Sequence, residues 1–266
     1  RPSPGAEQVL IRVAATAVNR ADVSQRQGNY PPPPGESPIL GLEVAGRIEA
    51  LGEGVTRWKP GDRVMTLVGG GGYAEYAVAP ASTLLAVPER FDLVTAAAIP
   101  EVFITAYLNV FREAALRQSE TLMVHGGASG VGTAAIQLAR RLRDARVLVT
   151  VGSEAKADAC RALGAEPILY HAENFADRAR ALTDKRGVDV ILDHIGGAYL
   201  ADNLRCLATY GRLVIIGLLG GAKAELNIGQ LMVKRQRIIG SVLRARPVPE
   251  KAEICRAFRA EVMPLL

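Results

Sequence analysis

Up to residue 95 the chain alternates short apolar runs with proline and glycine breaks. VLIRVAATAV (9–18), VAGRIEAL (44–51), DRVMTLV (62–68) and YAEYAVA (73–79) are rich in β-formers. Turn residues close them, such as the prolines 31–34 with Gly35, or Lys59-Pro60-Gly61-Asp62. Short, punctuated β-rich runs predict an antiparallel, partly open barrel. From Thr121 the pattern lengthens: apolar runs at 121–125, 146–151, 167–170, 188–192, 211–216 and 237–242 alternate with helical patterns near 130–142, 154–163, 173–185 and 198–208. Strands alternating with helices predict an α/β fold with a parallel, doubly wound sheet. A helix over 100–115 is expected to join the two halves.

Composition narrows the function classes. The 266 residues carry 49% apolar and 22% charged side chains, enough for two cores without disulfide or metal staples. Cys160, Cys206 and Cys255 lack the close spacing of zinc or redox motifs, so three free thiols in a reducing compartment are expected. The longest nearly apolar run, 213–222, is about half what a membrane helix requires and is broken by glycine. The opening RPSPG contains no apolar core of a signal peptide. A net charge of +5 is compatible with nucleic acid, but the tightest cluster, Arg140, Arg141, Arg143 and Arg146, falls at a predicted helix end, where cations complement the macrodipole.

TLMVHGGASGVGTAAIQLARRL (121–142) is a buried strand, a glycine-rich turn and a helix opening on small residues. This is the pattern of a dinucleotide pyrophosphate site, in which the turn's backbone and the helix start supply the N–H donors. Gly127 is expected to make the tight turn, while Gly130 and Gly132 allow close backbone approach. Aligning on Val131-Gly132 places Ser129 at the usual middle glycine, where its hydroxyl can donate to a phosphate. The alternative is a glycine-rich turn with no ligand.

Cofactor choice is read at the end of the second strand, where NAD enzymes place a carboxylate. Here that strand runs into Gly152-Ser153, with Lys156 one turn later and no acid before Glu154. Ser153 and Lys156 suit a 2′-phosphate and hence NADPH; read plainly, they are a capping serine and a solvated lysine. Asp193-His194-Ile195-Gly196-Gly197 and Ile216-Gly217-Leu218 each follow a strand. Gly196, Gly217 and Leu218 are therefore candidates for contact with the nicotinamide half. No nucleophile motif accompanies His194.

Asn19-Arg20-Ala21-Asp22, GLEVAG (41–46), WKPGDRV (58–64), GGYAEYAVAP (71–80), AAAIPE (96–101) and GGASGVGTAAIQLAR (126–140) together resemble the zinc-free medium-chain dehydrogenases/reductases of the quinone oxidoreductase family. Within it, NRADVSQRQGNYPPPPG (19–35) and SVLRARP (241–247) are most similar to the tumour-suppressor-inducible quinone oxidoreductase branch. The resemblance implies a GroES-like substrate domain (1–102), a Rossmann domain (103–243) and a return segment (244–266). It also implies a cytoplasmic homodimer reducing a quinone-like acceptor with NADPH.

Asn19 and Leu42 stand where zinc relatives carry metal ligands, so no metal is expected. The resemblance places Asn19, Asp22 and Tyr30 beside the nicotinamide as catalytic candidates, although each also reads as a turn, cap or loop-wall residue. The family tyrosine near the adenosine phosphate corresponds either to Tyr170, one residue early, or to His171 in register. Set against the family, the chain starts inside its second strand and stops before its last strand and helix, so terminal segments are expected to be absent. Two other functions remain open: an NADPH-dependent enoyl reductase acting on an activated C=C bond, and an NADPH-regulated RNA-binding or structural relative without turnover.

Overall fold

The computed structural model describes all 266 residues. They form two compact units, Arg1–Ile104 with Val242–Leu266, and Thr105–Ser241. The first unit opens with β1 (Gln8–Ala15), α1 (Arg20–Arg26), β2 (Glu43–Leu51), β3 (Arg63–Leu67), β4 (Tyr76–Pro80), β5 (Leu85–Ala86) and α2 (Leu93–Ala97), and α3 (Pro100–Tyr107) runs across the boundary between the units. Its strands make one antiparallel sheet ordered β4-β1-β2-β3-β5. Alternation along β1, β2 and β3 sends Val9, Ile11, Val44, Ile48 and Val64 into a single cluster with Val68 and Leu84, as expected of half-buried strands. The sheet is GroES-like.

The second unit contains β6 (Thr121–Val124), α4 (Gly130–Arg143), β7 (Arg146–Val151), α5 (Glu154–Ala162), β8 (Glu166–Leu169), α6 (Phe175–Leu182), β9 (Val188–Asp193), α7 (Leu200–Cys206), β10 (Leu207–Ile215), α8 (Ile228–Val233) and β11 (Arg237–Gly240). All pair in parallel, in the order β11-β10-β9-β6-β7-β8. This is the doubly wound Rossmann arrangement, and its strand order reverses between β6 and β9. Met123, Leu148, Ile191 and Leu213 lie in its core with Phe175 and Leu204 from the helices. The chain then re-enters the first unit through α9 (Val248–Glu261), which packs beside residues 81–83.

Differences from the sequence expectation occur where polar or backbone contacts outweigh hydrophobic period. The helix expected over 100–115 is α-helical only to Tyr107 and continues as a π-helix, Leu108–Glu113. α6 stops at Leu182, and Asp184 and Lys185 then take left-handed backbone. β10 begins early, at Leu207, but slips register before Arg212, where Tyr210 has φ +63°. α1, α2 and α8 are too short to show a helical period; Asp92 and Asn227 cap the last two through backbone N–H groups.

Candidate active site

β6 leads into the glycine turn at the reversal of strand order. The left-handed residue there is Gly126 (φ +62°), which corrects the assignment of the tight turn to Gly127. A Cβ on Gly126 would lie 2.6 Å from the His194 imidazole, so this position is doubly restricted to glycine. Gly127 instead lets the turn close on the Val149 side chain, and Gly132 lets α4 approach the Gly126 and Gly127 carbonyls. Ser129 is the N-cap: its Oγ accepts the Gly132 N–H at 3.0 Å, and its own N–H donates to the Gly126 carbonyl at 2.9 Å. The Ser129 hydroxyl proton therefore stays available. Ser129 and Gly130 are exposed and Val131 is half-buried, leaving the first amides of a 14-residue helix as donors for an anion.

At the end of β7, Ser153 caps α5 by accepting the Lys156 N–H at 3.4 Å, and both side chains are exposed. Capping uses the Ser153 oxygen only as an acceptor, so its hydroxyl proton is left to donate. Tyr170 follows β8, and its hydroxyl would be 2.7 Å from a Cβ on Gly152. Tyr170 therefore closes onto the end of β7 although it stands one residue early. Its ring lies 4.2 Å from that of His171.

The turns after β9 and β10 are joined by backbone hydrogen bonds. Leu219 and Gly220 N–H donate to the His194 and Ile195 carbonyls, and Gly197 N–H donates to the Gly221 carbonyl. Gly196 (φ +81°) fits only without a side chain, since a Cβ would lie 2.8 Å from the Gly221 carbonyl oxygen and 3.0 Å from Leu218 Cδ2. Gly217 faces the His194 backbone, and Leu218 is 58% exposed. Gly196, Gly217 and Leu218 are thus brought together, as are Gly152, Ser153, Lys156 and Tyr170. The small residues and exposed donors suit a dinucleotide.

Beneath the turns lies a polar group that sequence reading missed. His125 is fully buried, with Nδ1 3.1 Å from Thr150 Oγ1 and Nε2 2.7 Å from Asn203 Oδ1. Asn203 Nδ2 donates to Asp193 Oδ2 at 3.1 Å, and Asp193 accepts the Ile195 and Gly196 N–H groups. Burial lowers the His125 pKa to about 4 and raises that of Asp193 to about 6.

In the first unit, Asn19 caps α1, and its Nδ2 donates to Glu43 Oε1 at 2.7 Å. Glu43 Oε2 accepts the Glu101 N–H at 2.8 Å. Asp22 is buried, with its carboxylate taken by the Asn19 and Gly41 N–H groups and by the Tyr73 hydroxyl. Burial raises Glu43 to about 7 and, with Glu43 and Asp22 as negative neighbours, raises Glu101 to about 8. Tyr30 is half-buried under Arg244, whose guanidinium lies 5.2 Å from the ring centre. Arg244 is itself 7% exposed and donates to the Gly69 carbonyl, the Tyr30 carbonyl and Gln25 Oε1. Asn19, Asp22 and Tyr30 therefore belong to one polar cluster with Glu43, Tyr73, Glu101 and Arg244.

Residues 5–89 match the family model described as an alcohol dehydrogenase GroES-like domain, and residues 130–257 that of a zinc-binding dehydrogenase. A quinone oxidoreductase from Sus scrofa is 36% identical over 261 residues, which are 97% of this chain and 78% of the relative. The chain belongs to the quinone oxidoreductase family. Among solved structures, the Escherichia coli quinone oxidoreductase complexed with NADPH superimposes with a TM-score of 0.85 at 28% identity, covering 98% of this chain and 82% of that one. The CurK enoyl reductase gives 0.84 at 26%, covering 99% and 81%.

As a quinone oxidoreductase family member, the chain also belongs to the medium-chain dehydrogenase/reductase superfamily. Leu42 is a buried hydrocarbon and Asn19 is committed to Glu43. No three His, Cys, Asp or Glu side chains converge as metal ligands would. No helix is long and apolar enough to cross a membrane. The acidic pair was hidden because Glu43 and Glu101 are 58 residues apart. The Asn19-x-x-Asp22 spacing did carry a signal, that of a helix capping box.

Proposed function

We propose that the chain is a zinc-independent reductase that passes reducing equivalents from NADPH to a quinone-like acceptor. The end of β7 carries this reading: an exposed Ser153 and Lys156 stand where a carboxylate would select NAD, and no acid precedes Glu154. Bound NADPH supplies a hydride, and a quinone is electrophilic enough to take it without a Lewis acid. The chain's contribution is to position and hydrogen-bond the reactants. One Asn19 amide hydrogen is held by Glu43, so the other has a fixed direction from which to donate to an acceptor oxygen as it gains charge. Tyr30, clamped by Arg244, supplies a flat wall and a second donor, its hydroxyl. Asp22, with its carboxylate filled by internal donors, positions Asn19 and does not touch the acceptor. We also propose, from residues 19–35 and 241–247, that the chain falls in the tumour-suppressor-inducible branch of the family.

The test is loss of reduced-nicotinamide absorbance with an ortho-quinone and an enoyl thioester run side by side, and NADH as control. Quinone-dependent turnover that favours NADPH is expected. The likeness to the CurK enoyl reductase favours one alternative, reduction of an activated C=C bond, and turnover only with the enoyl thioester would select it. We also propose a homodimer. β11 is an edge strand of the parallel sheet, and Ile228, Met232, Val233 and Ile238 are exposed on α8 and β11, the kind of edge and apolar face that a second copy covers.

A further inference from the structure

Four polar side chains cap three strand ends where the parallel sheet reverses its order. Thr150 comes from β7, His125 from the end of β6, Asp193 from β9 and Asn203 from α7. Polar groups this deep are costly unless each is satisfied. Here the satisfied contacts run as one continuous line, from the Gly126 N–H to the Ile195 and Gly196 N–H groups. We infer that this line locks the phosphate turn (126–132) to the strand-end turn (194–197), making Thr150 and Asn203 positioning residues for the dinucleotide. The inference rests on the cofactor reading proposed above.

The donors along the line have a single consistent direction. Asp193 as a carboxylate only accepts, so Asn203 must present its NH2 to it and its carbonyl to His125. His125 must then carry its proton on Nε2, leaving Nδ1 to accept the Thr150 hydroxyl. The Thr150 oxygen is left with lone pairs, one of which receives the Gly126 N–H at 3.2 Å. Gly126 in turn accepts from Ser129, the cap of α4. The charge of Asp193 thereby fixes the proton position on His125 and the acceptor that holds the glycine turn. The low pKa of His125, together with the Phe175 and Tyr199 rings packed edge-on with centres 4.8 Å from its own, keeps the imidazole neutral and immobile. A histidine serving only as core filler requires no such order, and a phenylalanine would fill its place.

The test uses the purified full chain and two readouts: NADPH affinity from nicotinamide fluorescence, and the His125 tautomer from long-range ¹⁵N spectra of labelled histidine. The wild type is expected to show a neutral Nε2–H imidazole. Thr150→Val, which keeps shape and β-propensity but removes the hydroxyl, should weaken NADPH binding about tenfold, and Thr150→Ser should stay within about threefold of wild type. Asn203→Leu should weaken binding to a similar degree. If it fails to fold, the Thr150 pair decides the matter. Wild-type affinity in Thr150→Val, or an Nδ1–H tautomer in the wild type, would overturn the positioning role alone. A wild type that binds no NADPH would overturn the cofactor reading and this role with it.

Discussion

Glu43 accepts the Asn19 amide and the Glu101 N–H while only 1% exposed, and a charge is costly there. Its folded pKa of about 7 lies above the ordinary 4.5, so the folded state holds the proton more tightly than the unfolded chain. Stability from this group is therefore intact below about pH 4.5 and is lost as pH rises through 7. Glu101, raised to about 8 beside it, extends the same loss upward, while Arg244 and Lys251 oppose it. Denaturant titrations at several pH values should show Glu43→Gln losing less stability than wild type between pH 5 and 8, with the slope reduced by up to about one proton. At the acceptor side, Asn19→Ala with Tyr30→Phe should lower quinone-dependent kcat/KM by about tenfold to a hundredfold while leaving NADPH affinity unchanged. Near wild-type turnover would remove both residues from the mechanism. Asn19 and Tyr30 stood out in the sequence because they sit in a recognisable segment. Glu43, Glu101 and Arg244 did not, because their meaning comes from neighbours far along the chain.

Periodicity located the long elements well, since β6, α4, β7 and α5 depend on local pattern and on caps that are adjacent in sequence. It failed where a contact at a distance decides the outcome. Only the folded backbone shows that Gly126, and not Gly127, is left-handed, and that the His194 ring occupies the space a Cβ on it would need. The start of α5 offers a clean separation of cap from cofactor reader. Aspartate caps a helix as well as serine does, so Ser153→Asp should leave the melting temperature nearly unchanged. The same change introduces the carboxylate that ribose hydroxyls favour and a 2′-phosphate repels. The ratio of NADPH to NADH affinity should fall by about tenfold or more. An unchanged ratio would assign Ser153 to capping alone.

On the scale of the whole molecule, the sequence conveyed the two-part plan through its change of character near residue 100, but it gave little indication of which surfaces remain unpartnered. The exposed apolar side chains of α8 and β11 are visible as a set only once the sheet order puts β11 at the edge. Light scattering should give a dimer for the wild type and a monomer for a Met232→Glu, Ile238→Lys double variant, with NADPH binding retained. A wild-type monomer would show that this face has another purpose.

The first unit is built from both ends of the chain, with the second inserted between Ile104 and Val242. During synthesis Arg244 follows Gly69 by 175 residues, a delay of roughly 10–35 s at typical elongation rates. Through that interval Tyr30, Gln25 and the Gly69 carbonyl wait without the guanidinium that will hold them. β11 ends at Gly240, just ahead of Arg244, so the parallel sheet and the guanidinium contacts of the first unit are completed almost together, late in synthesis.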